Sequence, residues 1–233
     1  MKYKNLKVIK TLVFIEVFVI FILLLTIFTN AENKLVFKSN NNTQMKIAIT
    51  FDDGPHPKNS KKILDILDKY NVKSTFFVVG VNVKNYPNTL KEIVNRGHEI
   101  GNHTYSHSIL KSLSEEQIKK EICDTEDALN KVCNLAPNLL RPPCGMYSDT
   151  LLSVAKMKDY KIVLWTIDTN DWAHNSVDNI VNGILSSVKS GDIILFHDYI
   201  SGVNNTPKAL DIIIPKLQEM GFNLVTVSEL LQS

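Results

Sequence analysis

Lys46-Ile47-Ala48-Ile49-Thr50-Phe51-Asp52-Asp53-Gly54-Pro55 is the stretch that decides the fold. The extended, mostly apolar run from Met45 to Phe51 reads as a strand, and Gly54-Pro55 is the turn signal that stops it. Working outward, Ser60 to Tyr70 carries Ile63, Leu64, Leu67 and Tyr70 at helical spacing, and Thr75 to Val79 reads as a second strand. Leu90, Ile93 and Val94 mark a short helix stopped by Gly97, and Ser114 with Gln117 forms a capping box that opens a helix through about Lys131. Leu139 to Arg141 is a short strand, Ser148 caps a helix through about Lys158, and Lys161 to Ile167 is a strongly apolar strand. Val177 to Val188 is helical and Asp192 to Phe196 is a buried strand. Thr206-Pro207 starts a helix that Gly221 ends, and Phe222 to Val227 closes the series. This alternation specifies an α/β domain with a parallel sheet covered by helices, as a barrel or an open doubly wound sheet.

The ends of these strands carry the chemistry. Side chains at adjacent strand positions point to opposite faces, so Asp52 and Asp53 serve one site only if the strand stops between or just before them. An isolated Asp-Asp pair is usually a solvated turn, and the rest of the chain changes that reading. His103 and His107 stand four residues apart, a spacing that puts both imidazoles on one face of a helical turn, where they can chelate one ion. Two imidazoles and one carboxylate leave a coordination position for water, as a hydrolytic metal requires, and free the second aspartate to act as a base. Arg141-Pro142-Pro143-Cys144-Gly145, Ile167 to Trp172 and Leu195-Phe196-His197-Asp198 follow three more strands. Taken singly these are surface charges and turn formers. Together they occupy the carboxyl ends of strands, the face where parallel α/β folds place their active sites.

The five clusters, in this order, resemble the NodB-like polysaccharide deacetylases, carbohydrate esterase family 4, over about Met45 to Val227. The motifs are Thr50 to Gly54, His103 to His107, Arg141 to Gly145, Asp168 to Trp172, and Leu195 to His197. The resemblance implies a distorted (β/α) barrel and a divalent metal on Asp53, His103 and His107, with zinc first and cobalt or another divalent ion as the alternative. It implies Asp52 as the base, held by Arg141, and His197 as the acid, oriented by an aspartate of the fourth motif, assigned to Asp168. It also implies that the Cys144 backbone N–H binds the oxyanion, Leu195 lines the acetyl pocket and Trp172 walls the sugar groove. Cys144 departs from the family, which usually carries an aromatic or longer polar residue there. Among the other polar residues, His98 reads as structural, His56 and His174 as groove edges, Asp171 as a loop support, and Asp198 has no role.

With 233 residues, 44% hydrophobic and 21% charged, the chain can bury one substantial core, and a formal charge of +2 is too mild to indicate nucleic acid. Lys2, Lys4, Lys7 and Lys10 precede the apolar run Thr11 to Phe28, whose only charge is Glu16. The run is near the short end of the roughly 20 residues that span a bilayer and long for a signal core of about 7 to 15, so an uncleaved anchor is favoured over a cleaved signal. Either exports the remainder. The expected organisation is residues 1–29 as anchor or signal, 30–44 as linker and 45–233 as the catalytic domain. Cys123, Cys133 and Cys144 give no disulfide framework. The first two lie ten residues apart on one helix, about 15 Å of rise, which is beyond bridging distance.

The expected function is metal-dependent removal of N-acetyl groups from an extracytoplasmic polysaccharide, with peptidoglycan N-acetylglucosamine first, by a membrane-tethered monomer. The alternatives are an amidohydrolase acting on a non-sugar C–N bond and a carbohydrate-binding module without turnover.

Overall fold

Nine parallel strands form one sheet among the described residues: Leu35–Val36 (β1), Lys46–Asp52 (β2), Thr75–Val78 (β3), Glu99–Asn102 (β4), Leu139–Leu140 (β5), Lys161–Val163 (β6), Ile167–Asp168 (β7), Ile193–His197 (β8) and Asn223–Val225 (β9). The computed structural model describes residues 15, 16, 18, 19, 35–39 and 44–232. The order is β1-β6-β5-β4-β3-β2-β8-β7, with β9 against the start of β2. The helices are Asn59–Lys69 (α1), Gly80–Asn85 (α2), Pro87–Asn95 (α3), Glu115–Cys133 (α4), Asp149–Met157 (α5), Val177–Ser187 (α6), Thr206–Glu219 (α7) and Val227–Leu231 (α8).

The sheet curls because one passage of chain belongs to both of its ends. The sequence reads Lys161 to Ile167 as a single strand, but it bends at Leu164–Thr166: β6 pairs with β1 and β5, and β7 pairs with β8. Thr166 fixes the bend. Its N–H and Oγ1 donate to the Ile193 carbonyl, and its Oγ1 accepts from the Ile193 N–H at 3.1 Å. A second tie runs from the segment after β1, where Lys38 bridges Asp192 and the Ser39 N–H donates to the Gly191 carbonyl at 2.9 Å. Gly191 has φ of +89° and a Cβ there would stand 2.3 Å from the Ser39 carbonyl oxygen, so the close approach requires glycine. The product is the expected distorted (β/α) barrel.

Strand alternation sorts the side chains. Ile47, Ile49 and Phe51 of β2, Phe76 and Val78 of β3, and Ile194 and Phe196 of β8 face outward into a core shared with α1 and α7. Phe51 stacks on Phe76 at 4.8 Å and lies 5.9 Å from Phe196. All three are fully buried, each contributing about 1.5–3 kcal/mol by removal from water. Phe51→Ala therefore opens a cavity under β2 and costs about 3–5 kcal/mol. The opposite face, with Ala48, Phe77, Val163 and Ile193, fills the barrel interior, and Thr50, Asp52, Leu195 and His197 continue it upward toward the carboxyl ends.

The helix signals act as read. Ser114 and Gln117 form the capping box of α4, Ser148 caps α5, and Gly221, with φ of +87°, follows α7. Cys123 and Cys133 lie on the single helix α4, and all three cysteines are free. Three readings need correction. The segment expected as linker, 30–44, includes β1 and the Lys38 bridge, because pairing with β6 covers that strand's exposed edge. Helix α2 was not foreseen. The last strand stops at Val225, where Thr226 and Glu229 form a capping box for α8.

The chain divides into residues 1–33 and 34–233. In the first unit the described residues Ile15, Glu16, Phe18 and Val19 are helical and exposed. Among the described residues no helix is long and apolar enough to cross a membrane, and most of the Thr11 to Phe28 run lies outside them.

Candidate active site

One pocket of about 410 Å³ at the carboxyl ends of the strands is lined by Asp52, Asp53, His103, His107, Cys144, Asp168, Trp172, Leu195, His197 and Trp165. Of the catalytic, metal-binding and substrate-binding residues expected from sequence only Arg141 is missing from its wall, and His56 and His174, expected at the groove edge, do not line it either. Arg141 lies directly beneath, fully buried.

Asp52 ends β2 and points inward, and Asp53 follows with φ of +76°. That left-handed residue breaks the alternation, so two adjacent carboxylates reach one site. Asp53 Oδ1 lies 3.3 Å from His103 Nε2 and 3.1 Å from His107 Nε2, yet it is buried without an aligned hydrogen bond. Burial opposes ionisation of Asp53, and the two imidazoles outweigh it and hold the carboxyl well below the usual range. Contact with Asp53 in turn raises His107.

The two histidines do not occupy a helical turn. Thr104 and His107 have φ of +68° and +60°, so a looped segment, and not α-helical spacing, brings the rings to a centroid separation of 5.1 Å. His103 Nδ1 lies 2.7 Å from the Arg141 carbonyl. A carbonyl only accepts, so Nδ1 carries the proton and Nε2 presents its lone pair to the site.

These residues fit a divalent cation. One atom each of Asp53, His103 and His107 lies within 4.8 Å of the others, an orphaned carboxylate oxygen faces two imidazole lone-pair positions, and three protein donors leave room for water and substrate.

Arg141 organises the base. Its Nη1 donates to Asp52 Oδ1 at 2.8 Å and Thr50 Oγ1 at 2.7 Å. Nε donates to the Val163 carbonyl at 3.1 Å and Nη2 to the Leu164 carbonyl at 3.0 Å. The guanidinium carbon also sits 4.1 Å from the Phe77 ring centroid. A buried charge is tolerable only with such pairing, and the arrangement leaves Asp52 Oδ2 turned toward the site, 3.7 Å from His103 Nε2.

His197 ends β8 and is the register partner of Asp52. Its orienting carboxylate is Asp171, not Asp168. His197 Nδ1 lies 2.8 Å from Asp171 Oδ1, and Asp171 also accepts from the His197 N–H at 2.9 Å, the Trp172 N–H at 2.9 Å and Thr206 Oγ1 at 2.6 Å. Asp168 is exposed, and its Oδ1 accepts from the Asn170 N–H at 2.9 Å. That local turn, with Asn170 at φ of +51°, swings Asp171 under His197. Burial disfavours the imidazolium, but the hydrogen bond to Asp171 and the charges of Asp171, Asp52 and Asp53 prevail and push the His197 pKa up to about 9.

Cys144 is exposed with φ of +57°, Leu195 is buried, and Trp172 is 54% exposed at the rim. His56 stacks on Tyr199 at 4.9 Å, and His174 Nδ1 lies 3.1 Å from the Val203 carbonyl. His98 is away from the site, accepting from the Ser74 N–H. Sequence reasoning gave Asp198 no part, yet it is buried behind Gly54. Ser60 donates to its carboxylate, and burial pushes its pKa up to about 7 against that bond. A Cβ on Gly54 would stand 2.2 Å from both Asp198 oxygens.

A family model described as polysaccharide deacetylase matches residues 39–163. A peptidoglycan-N-acetylglucosamine deacetylase of Bacillus cereus is 41% identical over 193 residues, covering 82% of this chain and 90% of its own. The peptidoglycan-N-acetylmuramic acid deacetylase PdaC of Bacillus subtilis is 42% identical over 187 residues, covering 80% of this chain and 39% of its own. The crystal structure of a peptidoglycan N-acetylglucosamine deacetylase bound to 4-naphthalen-1-yl-N-oxidanyl-benzamide superposes with a TM-score of 0.83 at 39% identity, covering 87% of this chain and 94% of that one.

Proposed function

The chain belongs to the polysaccharide deacetylase family and is a metal-dependent deacetylase, and from that premise we propose that it removes N-acetyl groups from peptidoglycan outside the cytoplasm. N-acetylglucosamine units are the first substrate and N-acetylmuramic acid units the second, in keeping with the names of the relatives. In this reading residues 1–29 tether or export a monomeric enzyme, 45–233 carry the catalysis, and the cation is zinc, with cobalt as the alternative. The observation that carries the proposal is the pairing of Asp52 with His197 on adjacent strands above the Asp53, His103 and His107 cluster.

A bound dication on that cluster supplies a water of lowered pKa and a Lewis acid for the acetyl oxygen. The chain's own residues do the rest. Arg141 holds Asp52 so that Oδ2 accepts the proton of the attacking water. Asp171 occupies His197 Nδ1, so Nε2–H is left to protonate the departing nitrogen, without which an amide does not release its amine. Cys144, Leu195 and Trp172 line the pocket, where the Cys144 backbone N–H would donate to the developing oxyanion, Leu195 would receive the acetyl methyl and Trp172 would lie against a sugar face. Acetate and a free amine leave.

Acetate release from peptidoglycan and from N-acetylated oligosaccharides, measured with the full chain, tests this. Chelator should abolish release and zinc or cobalt restore it, while Asp52→Asn should reduce it by about 10²-fold or more. Release that ignores both treatments defeats the mechanism. Binding without acetate points to a carbohydrate-binding module, and turnover confined to small non-sugar amides points to an amidohydrolase.

A further inference from the structure

His103 and His107 are positioned by different means. His103 is locked through its ring, Nδ1 to the Arg141 carbonyl. Among the described residues no hydrogen bond holds His107 Nδ1, and its side chain is 41% exposed. Its ring is therefore placed by the backbone, and that backbone is in the left-handed region at both Thr104 and His107, conformations that persist only when the surroundings fix them.

The fixing is done from three sides. Asn102 Oδ1 accepts from the Thr104 N–H at 2.8 Å. The N–H groups of Gly80 and Val81, at the start of α2, donate to the carbonyls of Thr104 and Tyr105 at 3.0 and 2.9 Å. The third side is a single carboxylate. Glu121, in the second turn of α4, accepts on Oε2 from the Tyr105 N–H at 2.9 Å and the Ser106 N–H at 2.8 Å, and on Oε1 from Ser106 Oγ at 2.7 Å. Both donors on Oε2 belong to the two residues just before His107. Hydrogen bonds to a carboxylate are strong and directional, and this one is carried by a helix anchored by its capping box and by the buried Ile118 and Ile122.

We propose that Glu121 is the positioning residue that preorganises the His103-to-His107 loop, so that His107 Nε2 faces Asp53 before any cation arrives. Glu121 touches neither substrate nor metal ligand side chain and acts through the loop alone. The proposal rests on the reading of Asp53, His103 and His107 as the metal site. Outer partners that orient ligands typically set metal affinity by about 10–100-fold, and that is the size expected here.

The test is cation affinity itself. Zinc and cobalt dissociation constants are measured by competition with a chromophoric chelator for the wild-type chain, Glu121→Ala, Glu121→Gln and the control Asp53→Ala, alongside metal-free thermal melts. Glu121→Ala should bind about 10–100-fold more weakly while the metal-free protein melts cooperatively, and its lost turnover should return as metal concentration is raised. Glu121→Gln keeps one oxygen for the two backbone donors and should fall between Ala and wild type. Its visible cobalt spectrum should stay close to wild type, and that of the Ala variant should change. Wild-type affinity in both Glu121 variants overturns the proposal and leaves the metal reading standing. A wild-type chain that binds no better than Asp53→Ala overturns the metal reading, and the proposal with it.

Discussion

Asp171→Asn separates the orienting role of Asp171 from the local turn made by Asp168. The carboxylate raises the His197 pKa to about 9 against the opposing effect of burial. Without that charge, burial is opposed only by the charges of Asp52 and Asp53, and the imidazole falls back toward its ordinary value near 6.5. At pH 7.5 a pKa of about 9 keeps nearly all of His197 protonated, whereas a value of about 6.5 keeps roughly a tenth. The loss of acid form alone is thus about tenfold. An amide in place of Asp171 also sets an NH2 group against donors from His197, Trp172 and Thr206, which loosens the imidazole and brings the total loss in kcat/KM to about 10²-fold. His197 acts in its protonated form, so activity falls as pH rises through its pKa, and the basic limb of the profile should move to lower pH in Asp171→Asn. A bound dication lowers His197 in wild type and variant alike and leaves the displacement between the two profiles. Asp168→Asn should keep the wild-type limb. The assay is acetate release from an N-acetylated oligosaccharide between pH 5.5 and 10. A shifted limb in Asp168→Asn and an unshifted one in Asp171→Asn would refute the assignment.

Three further outcomes follow from burial. Arg141→Met leaves Asp52 buried without its partner, so chemical denaturation should show a loss of about 3–5 kcal/mol, and Asp52→Asn in the same background should recover part of it. Burial lowers the His98 pKa to about 4, below its unfolded value near 6.5, so its stabilisation is complete above pH 6.5 and is lost as pH falls toward 4. The gap is worth roughly 3 kcal/mol at 1.36 kcal/mol per pH unit. His98→Gln should flatten that part of the stability profile relative to wild type, and equal slopes would contradict it. Gly54→Ala drives a Cβ into the Asp198 carboxylate and must displace the loop that carries Asp53, so calorimetry should record a loss of about 1–3 kcal/mol together with weaker zinc binding.

The strands and helices were legible because their signals are local: apolar periodicity, Ser114 with Gln117, and Gly221 after α7. The site was legible as a set because Asp52, Asp53, His103, His107, Arg141 and His197 each stand at or just past the end of a strand, and parallel strands bring their carboxyl ends together. What failed was non-local. β1 is too short to announce itself and exists only against β6. The bend at Leu164–Thr166 depends on Ile193, far along the chain. Two histidines at i and i+4 fit a helical turn equally well, until the contacts of Asn102, Gly80, Val81 and Glu121 select the loop.

The sequence by itself determined which residue types are present and which strand ends carry them. Only the tertiary structure decided which of two aspartates three residues apart reaches His197. Asp168 and Asp171 are chemically identical, and a carboxylate becomes an orienting group only when the curled sheet buries it among the N–H groups of His197 and Trp172 and the hydroxyl of Thr206. Burial and donor convergence are properties of the packed molecule, set by contacts with residues up to 35 positions away, and a linear pattern does not encode them.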